Sequence, residues 1–110
     1  MPSFTLRGPG RLAIAAAFLL LLGATHARAD DVSVTIDNFT FSPAELTVKV
    51  GTTVTWTNHD DIPHTVVSAG KYRSKTLDTD DKFSFTFTAA GDYKYFCSLH
   101  PHMTGTIKVE

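Results

Sequence analysis

The chain is predicted to be all-β, a sandwich or barrel of about seven to eight strands, on three observations. Apolar and polar residues alternate with a period of two in several short runs, as half-buried strands require. Turn residues separate those runs roughly every eight to twelve positions. Beyond residue 29 no helical periodicity of useful length, internal repeat or low-complexity tract interrupts the pattern.

Val32, Val34 and Ile36 alternate with Ser33, Thr35 and Asp37, which gives a first strand. Asn38 to Pro43 reads as an irregular connection carrying two aromatics to bury. Leu46, Val48 and Val50 alternate with Thr47 and Lys49, and Gly51-Thr52 then turns the chain. Val54 and Trp56 continue the alternation against Thr53, Thr55 and Thr57. The polar stretch Asn58 to Pro63 is a loop that delivers His64 to a strand over Thr65 to Ser68. Ala69 to Asp81 is charged and aperiodic, a surface excursion with one short strand near Thr76-Leu77. Lys82 to Thr88 places Phe83, Phe85 and Phe87 on one face, and Ala89 to Asp92 reverses the chain. Tyr93, Tyr95 and Cys97 share a face of the next strand. After a short loop Gly105 reopens the chain, and Thr106 to Val109 closes the fold.

Residues 1–29 are expected to be an export signal rather than part of this domain. Arg7 and Arg11 precede an apolar stretch from Leu12 to Ala24, and Ala27-Arg28-Ala29 offers small residues at the two positions that a signal peptidase reads. Cleavage is expected after Ala29. The apolar stretch is shorter than the ~20 residues of a membrane-spanning helix, so no permanent anchor is expected. Residues 30–110 then form one small domain. Its seven basic against eleven acidic residues leave a net charge of −4, which argues against a nucleic-acid partner. Export leads to an oxidising compartment, yet Cys97 is the only cysteine and cannot form an internal disulfide.

Cys97 is followed at short spacing by His100 and Met103 in Cys97-Ser98-Leu99-His100-Pro101-His102-Met103. Met103 by itself would pass for a core gap-filler, and Cys97 by itself for a buried hydrophobe. Together, a thiolate, an imidazole and a thioether form a soft-metal donor set, and His64 supplies a second imidazole from the upstream loop. A trigonal pair of histidines and a cysteine, with a long axial bond to methionine, is the arrangement of electron-transfer copper. The predicted metal ligands are therefore His64, Cys97, His100 and Met103, holding one copper ion. Zinc would fit the same atoms but make no use of the thioether.

Three strings carry a family resemblance: Gly51-Thr52-Thr53-Val54-Thr55-Trp56-Thr57-Asn58, then Pro63-His64, then Gly91-Asp92-Tyr93-Lys94-Tyr95-Phe96-Cys97 running into the ligand loop. They resemble the cupredoxins of the plastocyanin and amicyanin group, and the two residues between His100 and Met103 match the short ligand loop of the amicyanin type. The resemblance implies a Greek-key β-sandwich with type 1 copper at one end, held by His64, Cys97, His100 and Met103. Two positions depart from the family pattern. Thr65 stands where an asparagine commonly braces the two ligand loops, and His102 stands where an aromatic is usual.

The expected function is outer-sphere electron transfer in the periplasm by a monomeric carrier, not an enzyme, with copper cycling between its +1 and +2 states. Redox donor and acceptor proteins are expected to dock transiently near His100, on an apolar patch of Ile62, Pro63, Leu99 and Pro101, with Asp60 and Asp61 available to steer a basic partner. A periplasmic copper chaperone or storage module is the alternative that uses the same ligands. A multicopper enzyme would require more histidines than His59, His64, His100 and His102.

Overall fold

The computed structural model describes residues 31–110, so the predicted signal segment and its cleavage point lie outside the described residues. The described residues form nine strands: β1 (Asp31–Asp37), β2 (Thr40–Ser42), β3 (Glu45–Val48), β4 (Thr53–Asn58), β5 (Val67–Ser68), β6 (Tyr72–Arg73), β7 (Lys82–Thr86), β8 (Gly91–Phe96) and β9 (Thr104–Val109). They make two sheets, ordered β2-β1-β4-β7 and β3-β9-β8-β5-β6. The chain crosses repeatedly between the sheets, and the expected all-β sandwich is what forms.

Alternation in the sequence becomes burial in the sandwich. In β4, Val54, Trp56 and Asn58 are buried while Thr53, Thr55 and Thr57 are half-buried. The core is built from Val34, Ile36, Phe41, Val54, Trp56, Tyr95 and Ile107 together with their buried neighbours. Each fully buried large apolar side chain contributes ~1.5–3 kcal/mol relative to exposure. The threonine-rich outer face of β4 is paired as well. Thr53 shares a hydroxyl hydrogen bond with Thr86 at 2.8 Å, and Thr55 with Ser84 at 2.6 Å.

Two segments differ from the sequence reading. The connection Asn38 to Pro43 contains β2, which pairs antiparallel with β1 through Asp37↔Thr40 and so closes a two-residue hairpin at Asn38-Phe39. Both turn residues have positive φ, 52° and 58°, as a primed hairpin turn requires. The usual signature there is Asn-Gly, and a phenylalanine in the second position hides the hairpin from sequence inspection. The excursion Ala69 to Asp81 contains β6 at Tyr72–Arg73, paired with β5. The strand expected near Thr76-Leu77 is reduced to a single bridge between Leu77 and His64, with Leu77 fully buried.

Two strand pairs are parallel, β1 with β4 and β3 with β9. Because β1 and β4 run the same way, with Ile36 opposite Asn58, the β1–β2 turn emerges beside the β4–β5 loop. On the other sheet β5 pairs with β8 at Val67↔Phe96, so the segment carrying His64 lies next to the strand end carrying Cys97.

Candidate metal centre

His64, Cys97 and His100 converge, with their ligand atoms all within 4.8 Å of one another. The Cys97 Sγ lies 3.8 Å from His64 Nδ1 and 3.6 Å from His100 Nδ1. A first-row ion bound trigonally, at about 2.0 Å to nitrogen and about 2.3 Å to sulfur, needs nitrogen–sulfur separations of about 3.7 Å. Both sulfur–nitrogen separations match that requirement. Cys97 and His64 are fully buried, Met103 is buried, and His100 alone reaches the surface in part.

The ligand loop is held by its own backbone. The His100 N–H donates to the Cys97 carbonyl at 3.2 Å, the Met103 N–H to the His100 carbonyl at 2.9 Å, and the Cys97 N–H to the Met103 carbonyl at 3.1 Å. Each bond links two ligand residues. The loop therefore fixes the spacing of its donors before any ion arrives.

Thr65 joins this loop to the one carrying His64. Its N–H donates to the Cys97 sulfur at 3.4 Å, and its hydroxyl oxygen accepts the Ser98 N–H at 2.7 Å while sharing a second hydrogen bond with the Ser98 hydroxyl at 2.8 Å. The hydroxyl thus supplies the inter-loop brace at the position where the family pattern has an amide side chain. Burial pushes the Cys97 thiol up, while the Thr65 N–H that donates to its sulfur draws it down toward the thiolate. The thiolate is the form that binds soft metals.

His64 is oriented from behind. Its Nε2 lies 2.7 Å from Asp60 Oδ2. A carboxylate can only accept, so Nε2 carries the proton and Nδ1 presents its lone pair toward the thiolate. The same carboxylate accepts the Asn38 N–H at 2.7 Å and the Phe39 N–H at 3.0 Å. Burial raises the Asp60 carboxyl, and these donors more than offset it, bringing it down to about 2. Asp60 is therefore no steering charge on the surface, as its place in a polar loop suggests, but a buried anion; Asp61 remains exposed.

Asn58 completes the frame of the β4–β5 loop. Its amide donates to the carbonyls of Ile62 and Leu77, each at 2.9 Å, and its oxygen accepts the Asp60 N–H at 2.9 Å. Phe39 covers the two imidazoles edge-on, with ring centroids 5.5 Å from His64 and 5.0 Å from His100. A phenylalanine at φ 58° costs about 1–3 kcal/mol of backbone strain, a pattern found where a side chain must be aimed. Sequence reasoning missed Asp60, Asn58 and Phe39 as parts of the site.

Pro63, Leu99 and Pro101 of the expected apolar patch are exposed, Ile62 is half-buried, and the exposed ring of Phe39 adds to them. His102 is exposed, and His59 lies 3.9 Å from the Asp80 carboxylate. Neither histidine belongs to the convergent cluster. Among the described residues no helix is long and apolar enough to cross a membrane.

A family model described as a cupredoxin-like domain matches residues 10–109. Amicyanin from Paracoccus versutus is 34% identical over an alignment that covers 91% of this chain and 95% of that protein. Among solved structures, a purple cupredoxin from Nitrosopumilus maritimus superposes with a TM-score of 0.70 at 37% identity, over 73% of this chain and all of that one. A copper(I) form of an amicyanin mutant superposes with a TM-score of 0.70 at 35% identity, over 77% of this chain and 88% of that one.

Proposed function

The chain belongs to the cupredoxin-like family, and from that premise we propose that it is a one-copper electron carrier whose ion is held by His64, Cys97, His100 and Met103. The observation that carries the reading is the spacing of the three converging donors, 3.6 and 3.8 Å between sulfur and the two imidazole nitrogens. Copper bound there supplies a one-electron couple between its +1 and +2 states.

The residues of the chain keep that couple fast. Backbone hydrogen bonds within the ligand loop and the Thr65–Ser98 brace hold the donors in place, so a change of oxidation state demands little movement. Burial of Cys97, His64 and Met103 excludes water. His100, the ligand with a path to the surface, is the electron exit, and the exposed apolar residues around it form the docking surface for a redox partner. Small apolar contacts suit brief encounters. We place the carrier in the periplasm as a monomer, exported by residues 1–29.

Adding copper(II) to the apoprotein is expected to produce an intense visible thiolate-to-copper absorption and a single reversible one-electron wave on potentiometric titration. A colourless complex ends the proposal. Slow loss of copper to a chelator separates the carrier from a copper chaperone, which must exchange quickly; the buried, braced ligands favour slow loss.

A further inference from the structure

Three hydrogen bonds meet on the Asp60 side chain, and their division between its oxygens is what matters. Oδ1 accepts the Asn38 N–H at 2.7 Å, while Oδ2 accepts the Phe39 N–H at 3.0 Å and faces His64 Nε2 at 2.7 Å. The side chain is 11% exposed and the imidazole is fully buried. Its neighbours fix it further, since the Asp60 N–H donates to the Asn58 oxygen at 2.9 Å and the Asp60 carbonyl accepts the Thr79 hydroxyl at 2.6 Å.

Successive backbone N–H groups in a turn form a concave anion site. Here that concavity is the Asn38-Phe39 turn, both residues in the left-handed region, and the anion is Asp60. The turn also carries the ring that lies edge-on against His64 and His100. A single carboxylate thus touches the metal-side imidazole from behind and the cover of the site through its backbone.

Resting on the copper reading above, we infer that Asp60 is a positioning residue: its carboxylate fixes the tautomer of His64, makes that ligand more basic, and seats Phe39 over both imidazoles. A more basic ligand stabilises copper(II) over copper(I) and lowers the reduction potential. Serving all three donors at once, and carrying the charge that makes His64 more basic, needs a two-oxygen anion. The amide of an asparagine has one acceptor, so it can serve Asn38 on one side, or Phe39 and His64 on the other, and it turns an N–H₂ toward a donor in either orientation.

The test compares wild type with Asp60→Asn and Asp60→Glu. In wild-type apoprotein, nitrogen NMR is expected to show His64 as the Nε2-protonated tautomer; an Nδ1-protonated ring overturns the inference and needs neither a variant nor copper. In copper-loaded Asp60→Asn the reduction potential is expected to rise, and the Asn38 and Phe39 amides of the apoprotein to exchange roughly tenfold faster or more. Asp60→Glu, which keeps the charge, is expected to recover part of the potential shift. A potential and exchange rates equal to wild type in Asp60→Asn overturn the inference. A wild type that gives no coloured copper complex would instead defeat the copper reading, with the tautomer and exchange results still deciding what Asp60 does to His64 and the turn.

Discussion

The hydroxyl oxygen of Thr65 accepts the backbone N–H of Ser98 at 2.7 Å, across 33 residues of sequence. This contact joins the loop that carries His64 to the loop that carries Cys97, His100 and Met103. Thr65→Val keeps the shape of the side chain and the N–H bond to the thiolate while leaving the Ser98 N–H without its partner. The apoprotein is expected to lose about 0.5–1.5 kcal/mol in urea unfolding. A midpoint unchanged from wild type would show the brace to be dispensable.

Replacing Cys97 by serine removes the thiolate from a core position of nearly the same volume. The variant is expected to fold, with a far-ultraviolet spectrum like that of wild type, and to give no intense visible band with copper(II). Retained colour would mean that the chromophore is built elsewhere.

Gly105 faces Tyr95 across the β8–β9 pair, and a Cβ at that position would run into the tyrosine ring. Tyr95 lies two residues before Cys97 on the same face of the strand. Gly105→Ala is expected to cost about 1–3 kcal/mol through overpacking. Tyr95→Leu in the same background would relieve part of that loss. Equal stabilities for Gly105→Ala and wild type, measured by thermal unfolding, would contradict this packing.

Tyr72 is buried in the aromatic cluster with Trp56, Phe83, Phe85 and Phe87, and its hydroxyl has no hydrogen-bond partner among the described residues. Burial first, then the nearby Tyr95 phenol, pushes its pKa above the ordinary tyrosine range. The folded chain therefore keeps this proton at a pH where the unfolded chain, titrating near ~10, has already released it. The unfolded state then binds fewer protons, so stability is fully present below pH ~10 and falls as pH rises beyond it. Tyr72→Phe is expected to flatten the alkaline limb of a stability-versus-pH curve. An unchanged limb would place the alkaline sensitivity at other groups.

Much of this protein could be read from local pattern. Period-two alternation in β1, β4 and β7 identified strands and their buried faces, because side chains on a strand point alternately to opposite sides and only one side meets the core. The four proposed metal ligands were also legible. A cysteine, a histidine and a methionine packed into one short loop are improbable except as donors, and their chemistry is a property of the residues themselves.

Neighbours were not legible. Alternation reports which face of a strand is buried but carries no information on which strand lies beside it, so the parallel pairing of β1 with β4 and of β3 with β9 came only from the folded chain. That pairing sets the Asn38-Phe39 turn against the β4–β5 loop and changes Asp60 from a loop acid into the shared acceptor of Asn38, Phe39 and His64. The sequence determined which atoms could bind a soft metal. Tertiary structure decided how those atoms are held, because hydrogen bonds between residues far apart in the chain exist only once the sheets have brought their loops to the same end.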